Sequence, residues 1–156
     1  MGKATSFELG MIGLGTMGMN LLLNLADRGH AVAGYHRSAA KAAELRAVAR
    51  DNVEGFSELV PFVQALRRPR AVLLLVPAGA PVDAVIAGLA PLLEAGDFII
   101  DAGNSFYRDT MRRAQELEPW GISFVGMGVS GGESGARHGP SMMPGGSVHA
   151  WERLRP

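Results

Sequence analysis

The sequence predicts a doubly wound α/β fold, a mainly parallel sheet with helices on both faces. Apolar runs of strand length alternate with helical stretches along most of the chain, which is the pattern of such a sheet. The run at residues 71–76 is apolar throughout, as expected of a strand that is covered on both faces. A Gly-rich turn joins the first apolar run to a helix. We expect one domain over residues 1–156, with its core at about 7–128.

The elements are predicted in chain order from the apolar runs and from the residues that begin and end helices. The expected strands are residues 7–14, 31–35, 71–76, 98–101 and 123–126, and the expected helices are residues 20–26, 39–46, 57–66, 81–93, 107–117 and 151–154. Ser38 and Ser57 are expected N-caps, because a Ser hydroxyl accepts a hydrogen bond from a free N–H of the first turn. Pro81 suits the first turn of its helix, and Gly96 suits the end of the same helix.

Composition excludes several classes of partner. Lys and Arg together number 15, as do Asp and Glu, so no net charge attracts a nucleic acid or an anionic membrane. The chain contains no Cys, which excludes disulfides and thiolate metal ligands. The apolar runs are too short to span a bilayer, and the first six residues lack the apolar core of a signal peptide. We therefore expect a cytoplasmic protein without a nucleic-acid or membrane partner.

The turn after the first strand has the GxGxxG pattern of a dinucleotide site. Its residues are Gly13, Leu14, Gly15, Thr16, Met17 and Gly18. Gly13 is expected to make the tight turn, Gly15 to admit a pyrophosphate, and Gly18 to let helix and strand pack closely. The N-terminus of the helix would offer N–H donors to the phosphates. The alternative is a Gly turn with a structural role only. Because the motif lies between a strand and a helix, we predict a Rossmann-type dinucleotide-binding fold.

The end of the second strand indicates which dinucleotide binds. Sites for NAD usually carry Asp or Glu there, but this chain has His36, Arg37 and Ser38. An Arg side chain can pair with the 2′-phosphate of NADP in fork geometry, and Ser38 can donate to it. The alternative is an ordinary surface Arg at the start of a helix. The absence of a carboxylate and the presence of Arg37 both favour NADP.

Two further strand ends are expected at the same site, because ligands of open α/β sheets lie beyond the carboxyl ends of the strands. The first carries Val76, Pro77 and Ala78, and the second carries Asn104. The Asn104 amide could hold a hydroxyl of cofactor or substrate, or could cap the following helix. We expect Asp101 to be a buried, turn-forming residue rather than a catalytic acid.

Residues 126–146 form a Gly-rich run in which ten of 21 residues are Gly or Pro. Such a composition disfavours an ordinary helix or an interior strand. The run also carries the hydroxyls of Ser130 and Ser141 together with Arg137 and His138, which suits close approach to an anionic ligand. The alternative is a flexible linker.

The motifs at residues 13–18, 36–38, 101–105, 107–110 and 129–146 together resemble 6-phosphogluconate dehydrogenase. The resemblance covers nearly the whole chain, in order and spacing, and residues 129–146 are typical of the NADP-using branch of the family. It implies oxidative decarboxylation of 6-phosphogluconate to ribulose 5-phosphate and CO2 with reduction of NADP, a step of the pentose phosphate pathway. The implied cofactor residues are Gly13, Leu14, Gly15, Thr16, Met17, Gly18, His36, Arg37, Ser38, Val76, Pro77, Ala78 and Asn104, and the implied substrate residues are Asn104, Ser130, Gly131 and Gly132.

The resemblance also implies that catalytic groups are missing from these residues. In the family a Lys base and a Glu acid follow the Gly-rich run, and their positions are expected beyond Pro156, the last residue here. The Lys residues of this chain are Lys3 and Lys41, and neither matches the catalytic position. We therefore expect no catalytic residue in this chain, which would be a fragment that binds NADP weakly and turns over nothing alone. The family dimerises largely through its helical domain, so this fragment is compatible with a monomer.

Three positions differ from the usual residues of the family. Members often have Asn at the position of His36, Lys at that of Pro77 and Gly at that of Ala102. Losing the Lys removes a cation near the cofactor and would weaken the affinity for it. The change at Ala102 is small enough for a tight turn to accept.

Two alternatives remain open at this point. One is a β-hydroxyacid dehydrogenase such as 3-hydroxyisobutyrate dehydrogenase, which the continuation through residues 133–146 fits poorly. The other is a non-catalytic NADP-binding module.

Overall fold

A computed structural model describes residues 6–48 and 50–155 and shows one sheet between two helical layers. The strands are β1 (Leu9–Ile12), β2 (Val32–Tyr35), β3 (Val53–Phe56), β4 (Ala71–Leu74), β5 (Phe98–Asp101), β6 (Ser123–Ser130) and β7 (Ser141–Gly145). The helices are α1 (Thr16–Asp27), α2 (Ala39–Val48), α3 (Leu59–Gln64), α4 (Ala80–Leu89), α5 (Tyr107–Leu117), α6 (Gly132–His138) and α7 (Val148–Leu154).

Two predictions concern the ends of the sequence. The start of the chain, where a signal peptide was not expected, lies largely outside the described residues. Pro156, after which the catalytic Lys and Glu were expected, also lies outside them. The structure therefore tests neither prediction, and the position of the catalytic groups beyond Pro156 stays a prediction from the family resemblance.

The sheet has the strand order β3-β2-β1-β4-β5-β6-β7. The first six strands are parallel, and β7 pairs with β6 in the antiparallel sense. The chain therefore winds outward from β1 in one direction and from β4 in the other, which is the strand order of dinucleotide-binding folds. The predicted α/β fold is confirmed. Within the described ranges, no helix is long and apolar enough to cross a bilayer.

The core consists of two apolar layers, one on each face of the sheet. Strand residues that adjoin in sequence point to opposite layers, as Met11 and Ile12 do on β1. One layer packs the sheet against α3, α4 and α5, and the other packs it against α1, α2, α6 and α7. Because both faces are covered, β4 is buried along its whole length, which is why its sequence is apolar throughout.

Several predicted boundaries were wrong. Strand β3 was not predicted, because four residues that include Glu54 and Gly55 give a weak strand pattern. Helix α1 begins at Thr16 rather than at residue 20. Helix α3 begins at Leu59 after Glu58, so Ser57 is not its N-cap.

Two other helix ends also differ from the prediction. Helix α4 ends at Leu89 and is followed by a 3₁₀ turn at Ala90–Leu92, so Gly96 (φ +94°) lies in the loop before β5 rather than directly after the helix. Helix α7 begins at Val148, where the Ser147 hydroxyl accepts a hydrogen bond from the Ala150 N–H at 3.1 Å.

The Gly-rich run is ordered secondary structure, so the linker alternative was wrong. It comprises the end of β6, the short helix α6 and the edge strand β7. Ala136 in α6 is fully buried against α1 and the adjoining core layer. Tertiary packing therefore holds a helix whose Gly content disfavours it, as is common for short helices. The expectation that the run forms no interior strand was also wrong, because its first residues end β6, which lies between β5 and β7. Only β7 lies at the edge.

Close packing of α2 on β3 predicts that two Gly→Ala substitutions differ in their effect on stability. A methyl group on Gly55 would overlap the backbone carbonyl of Ala42, whereas one on Gly88 in α4 would only touch Leu59 Cδ2 at 3.5 Å. Gly55→Ala should lower the free energy of unfolding by about 1–3 kcal/mol. Gly88→Ala should leave it unchanged or raise it by up to about 1 kcal/mol. Urea denaturation measures both, and equal effects would contradict the packing described.

Candidate functional site

The carboxyl ends of β1, β2, β4, β5 and β6 lie along one edge of the sheet, because these strands are parallel neighbours. Every residue that the sequence predicts for the site follows one of these strands or, in the case of β6, ends it. The structure thus brings the predicted cofactor and substrate residues to one edge. The topology changes direction between β1 and β4, which is where open α/β sheets have their binding crevice.

The three glycines of the first turn have different physical requirements. Gly13 has φ +100°, and a methyl group there would overlap the Leu75 carbonyl oxygen. A methyl group on Gly18 would overlap the Gly13 carbonyl oxygen, so α1 can start close to β1 only with Gly at this position. Gly15 has φ −71°, and nothing lies within 4 Å of the position of its absent Cβ. The fold itself therefore requires Gly13 and Gly18, whereas Gly15 leaves open space outside the turn.

The N-terminus of α1 points into this open space. Gly15 occupies its N-cap position, where no side chain caps the helix, and its first turn contains no acidic residue. A 12-residue helix carries a partial positive charge at this end, together with backbone N–H groups that lack helical acceptors. The residues present therefore fit a phosphate group, because both the donors and the room for it exist.

Basic and polar groups follow β2 at the same edge. The Arg37 side chain is exposed and, within the described residues, makes no hydrogen bond or ion pair. The ring of His36 is turned toward Ser38, whose backbone N–H donates to Nδ1 at 3.0 Å. The Ser38 N–H therefore has an acceptor within the protein and is not free to donate to a ligand. The Arg37 guanidinium, by contrast, has no partner among the described residues.

The loops after β4 and β5 pack against each other. A Cβ atom on Gly103 would lie 3.0 Å from the Val76 carbonyl oxygen, so the two loops meet at backbone level. Pro77, Ala78 and Asn104 are exposed above this contact. Phe106 occupies the N-cap position of α5 without a side-chain cap, so the alternative of Asn104 as a helix cap was wrong.

Asp101 is buried and forms the turn after β5, as expected. Its side chain is 2% exposed and accepts hydrogen bonds from the Gly103 N–H (3.1 Å) and the Ser105 hydroxyl (2.5 Å). It also accepts from Arg113, a buried residue of α5 that the sequence reasoning missed. The available signal was spacing: Arg113 lies four residues before Leu117, so the two share the buried face of the helix.

The Asp83 carboxyl in α4 accepts a hydrogen bond from the buried Arg113. The Arg113 guanidinium donates to Asp83 Oδ1 at 2.8 Å, and Arg112 donates to the same oxygen at 3.0 Å. These hydrogen bonds, that from Arg113 first, hold the pKa of the Asp83 carboxyl below its usual range. The same pairing raises the pKa of Arg112. Asp83 is therefore ionised at neutral pH and anchors α5 to the start of α4.

Strand β6 carries the Gly-rich run past the edge of the sheet. Its pairing with β5 ends at Gly126, and four more residues lead to Ser130, about 13 Å of extended chain. Pairing with Ser141 of β7 supports this extension. Ser130, Gly131 and Gly132 are exposed at its tip. These three residues, called the wall after β6 below, therefore extend beyond the carboxyl end of β5, on the side of the loops that carry Asn104 and Gly15.

Helix α6 is fastened to α1 by polar contacts. Asn24, 6% exposed, donates from Nδ2 to the Ala136 carbonyl oxygen at 3.1 Å. Arg137 pairs with Asp27 of α1 at 2.7 Å, so the guanidinium of this Arg is turned toward α1. The sequence reasoning missed Asn24, a polar residue in an apolar helix. The wall after β6 is thus tied to the helix that starts at the Gly turn.

Comparison with known proteins assigns the family. The family described as the NAD binding domain of 6-phosphogluconate dehydrogenase matches residues 8–156, almost the whole chain. The chain belongs to this family. The decarboxylating 6-phosphogluconate dehydrogenase of Chlamydia muridarum is 51% identical over 151 residues, covering 96% of this chain and 32% of that relative. The chain thus spans about a third of the length of the curated relatives it matches.

Solved structures of two dehydrogenases resemble this chain in fold. The Plasmodium falciparum 6-phosphogluconate dehydrogenase, studied with NADP+ and with 6-phosphogluconate, has a TM-score of 0.88 and 38% identity over 95% of this chain and 32% of its own. A 3-hydroxyisobutyrate dehydrogenase from Salmonella typhimurium has a TM-score of 0.81 and 26% identity, covering 97% of this chain and 52% of its own. Both neighbours share the fold of this chain, and the 6-phosphogluconate dehydrogenase has the higher sequence identity to it, 38% against 26%.

The contact between Asn24 and α6 predicts a loss of stability that the half-buried Asn20 on the same helix does not share. Asn24→Ala leaves the buried Ala136 carbonyl oxygen without its donor and should lower the free energy of unfolding by about 1–3 kcal/mol. Asn20, whose hydrogen bonds are exposed, is the matched control, and Asn20→Ala should change stability by less than about 0.5 kcal/mol. Urea denaturation of both variants checks this, and a loss of the same size at Asn20 would contradict it.

Proposed function

We propose that this chain forms the NADP-binding part and one wall of the substrate site of an enzyme that oxidatively decarboxylates 6-phosphogluconate to ribulose 5-phosphate and CO2. One observation carries the proposal above all: the open space at Gly15 adjoins the uncapped start of α1, and the unpaired Arg37 lies at the neighbouring strand end. Relatives at 51% and 38% identity are named as this dehydrogenase, which supports the reaction.

The proposed cofactor contacts follow from the edge of the sheet. The backbone of residues 13–18 holds the pyrophosphate through N–H groups at the start of α1, with Met17 toward the nicotinamide. Arg37 pairs with the 2′-phosphate, and His36 and Ser38 line the same corner. Residues 76–78 pass along the cofactor beside Asn104. Arg37 supports NADP over NAD because its guanidinium can donate two hydrogen bonds to a phosphate.

The proposed chemistry requires a sugar acid to lie between the cofactor and the wall after β6. The bound nicotinamide would accept hydride from C3 of the substrate. Asn104 would donate to a substrate hydroxyl and fix the orientation of that carbon. The Ser130 hydroxyl and the N–H groups of Gly131 and Gly132 would bind the carboxylate end and hold it in place.

In the proposal, the proton transfers belong to a part of the enzyme outside these 156 residues. The family resemblance implies a Lys base and a Glu acid at positions beyond Pro156. Lys41 is exposed in the first turn of α2, where its Nζ lies 2.7 Å from Glu44, and it does not match the catalytic position of the family. Lys3 lies outside the described residues. The chain is accordingly proposed to bind NADP and to need the remainder of a longer enzyme for turnover.

The wider setting of the enzyme is also a proposal. The product and the substrate belong to the pentose phosphate pathway. The resemblance supports a homodimer for the full-length enzyme, and the Cys-free composition is consistent with the cytoplasm. A non-catalytic NADP-binding module would use the same cofactor residues, but it would leave the wall at Ser130 without a role.

Because the space at Gly15 is open, we expect Gly15→Ala to weaken NADP+ binding without a comparable loss of folding stability. The added methyl group meets no protein atom, so the free energy of unfolding should change by less than about 1 kcal/mol. The methyl would occupy the room for the pyrophosphate, so the affinity for NADP+ should fall about tenfold or more. Isothermal titration calorimetry and urea denaturation measure the two effects, with Gly88→Ala as the control. Unchanged NADP+ affinity in Gly15→Ala would contradict the proposed site.

The position of Arg37 predicts the choice between cofactors. Arg37→Ala removes the partner of the 2′-phosphate and should weaken NADP+ binding about ten- to a hundredfold, the range for a charge-assisted pair. Binding of NAD+ should change little. Arg46→Ala removes the same charge from the last turn of α2 and serves as the control. Titration of each variant with both dinucleotides gives the ratio of affinities, and an unchanged ratio in Arg37→Ala would overturn the assignment.

A further inference from the structure

A fully buried cation lies directly behind the loops after β4 and β5. The Arg113 side chain is 1% exposed and projects from α5 into the space between these loops. A buried guanidinium is costly unless its donors are all matched, and an apolar side chain usually packs a helix at least as well. Helix packing alone therefore does not explain an Arg at this position.

The guanidinium of Arg113 connects two loops through four hydrogen bonds. On the β5 side, Nη1 donates to Ser105 Oγ (3.1 Å) and to Asp101 Oδ2 (3.4 Å). On the β4 side, Nη2 donates to the Gly79 carbonyl oxygen (3.1 Å), and Nε donates to Asp83 Oδ1 (2.8 Å). One rigid, planar group thus fixes the distance between the loops, which a flexible Lys with a single ammonium would not do.

The loops that Arg113 joins carry exposed residues assigned above to cofactor and substrate. Asn104 is flanked by Gly103 and Ser105, and both of these neighbours are bonded to Asp101. Gly79 directly follows residues 76–78. Asn104 itself makes no side-chain hydrogen bond within the described residues, so its position depends on the backbone that its neighbours hold.

We propose that Arg113 is a positioning residue, which sets the Asn104 loop and the turn at residues 77–79 in the arrangement that NADP and the sugar acid require. This inference rests on the proposed function, because it takes these two loops to contact the ligands. Arg113 itself touches neither ligand. It acts through Asp101, Ser105 and the Gly79 carbonyl.

The neighbouring Arg112 provides a matched control. It donates to the same Asp83 oxygen (3.0 Å) and to Glu116, but its side chain is 43% exposed and reaches neither Asp101 nor Ser105. Substitution of Arg112 thus removes an Arg–Asp83 contact from the same helix and leaves the connection between the loops intact.

The test compares Arg113→Met with Arg112→Met in the 156-residue chain. Hydrogen exchange without cofactor should show faster exchange of the amides at residues 77–80 and 101–105 in Arg113→Met only. The NADP+ affinity of this variant should fall about tenfold, a difference of about 1.4 kcal/mol. Leu117→Ala, in the buried last turn of α5, controls for general destabilisation and should leave both readouts at the loops unchanged. Exchange and affinity equal to those of the wild type would overturn the proposal.

Ser105→Ala keeps the proposal testable if Arg113→Met does not fold. It removes one acceptor of Arg113 and the hydroxyl that donates to Asp101, and it should accelerate exchange at residues 101–105 and weaken NADP+ binding several-fold. Wild-type exchange and affinity in Ser105→Ala would then overturn the inference. Failure of the wild-type chain to bind NADP+ would overturn the proposed function instead, whereas the exchange data would still show whether Arg113 orders the loops.

Discussion

The structure depends on the close approach of α1 to the turn after β1. Only Gly at position 18 lets the helix start against the carbonyl of Gly13, and only a residue with φ +100° makes that turn. This contact aims the positive end of α1 at the open edge of the sheet. The same helix holds α6 through Asn24 and Asp27, so the wall at Ser130 is placed by the helix that faces the proposed phosphate site.

Different polar contacts hold the wall after β6 and the loops after β4 and β5. Asn24 and Arg137 fasten the wall after β6 to α1, and Arg113 fastens the Asn104 loop to the turn after β4. In each case a buried or half-buried polar side chain finds its hydrogen-bond partners in backbone, carboxylate or hydroxyl groups. The exposed residues at the edge are therefore free to face a ligand, because other residues hold the backbone that carries them.

Sequence reasoning predicted the fold, which the structure confirms, and it proposed site residues that the structure brings to one edge of the sheet. Both predictions depend on local patterns: apolar runs, a GxGxxG turn and polar residues after strands. It failed where tertiary contacts decide. Strand β3 forms because β2 offers an edge to a short, weak segment, and α6 forms because Ala136 is buried against α1. The hydrogen bonds of Arg113 could not be predicted either, because its partners come from positions 79, 83, 101 and 105 and meet only in the folded chain.

In the proposed complex, NADP lies across the ends of β1 and β2 with its 2′-phosphate at Arg37. Amide chemical-shift mapping by NMR on the labelled chain tests this arrangement most directly, with NADP+ and NAD+ titrated in parallel. We expect both dinucleotides to shift the amides of residues 13–18, and NADP+ alone to shift those of residues 36–38. Shifts confined to another part of the surface, or identical shifts at residues 36–38 with both dinucleotides, would contradict the account.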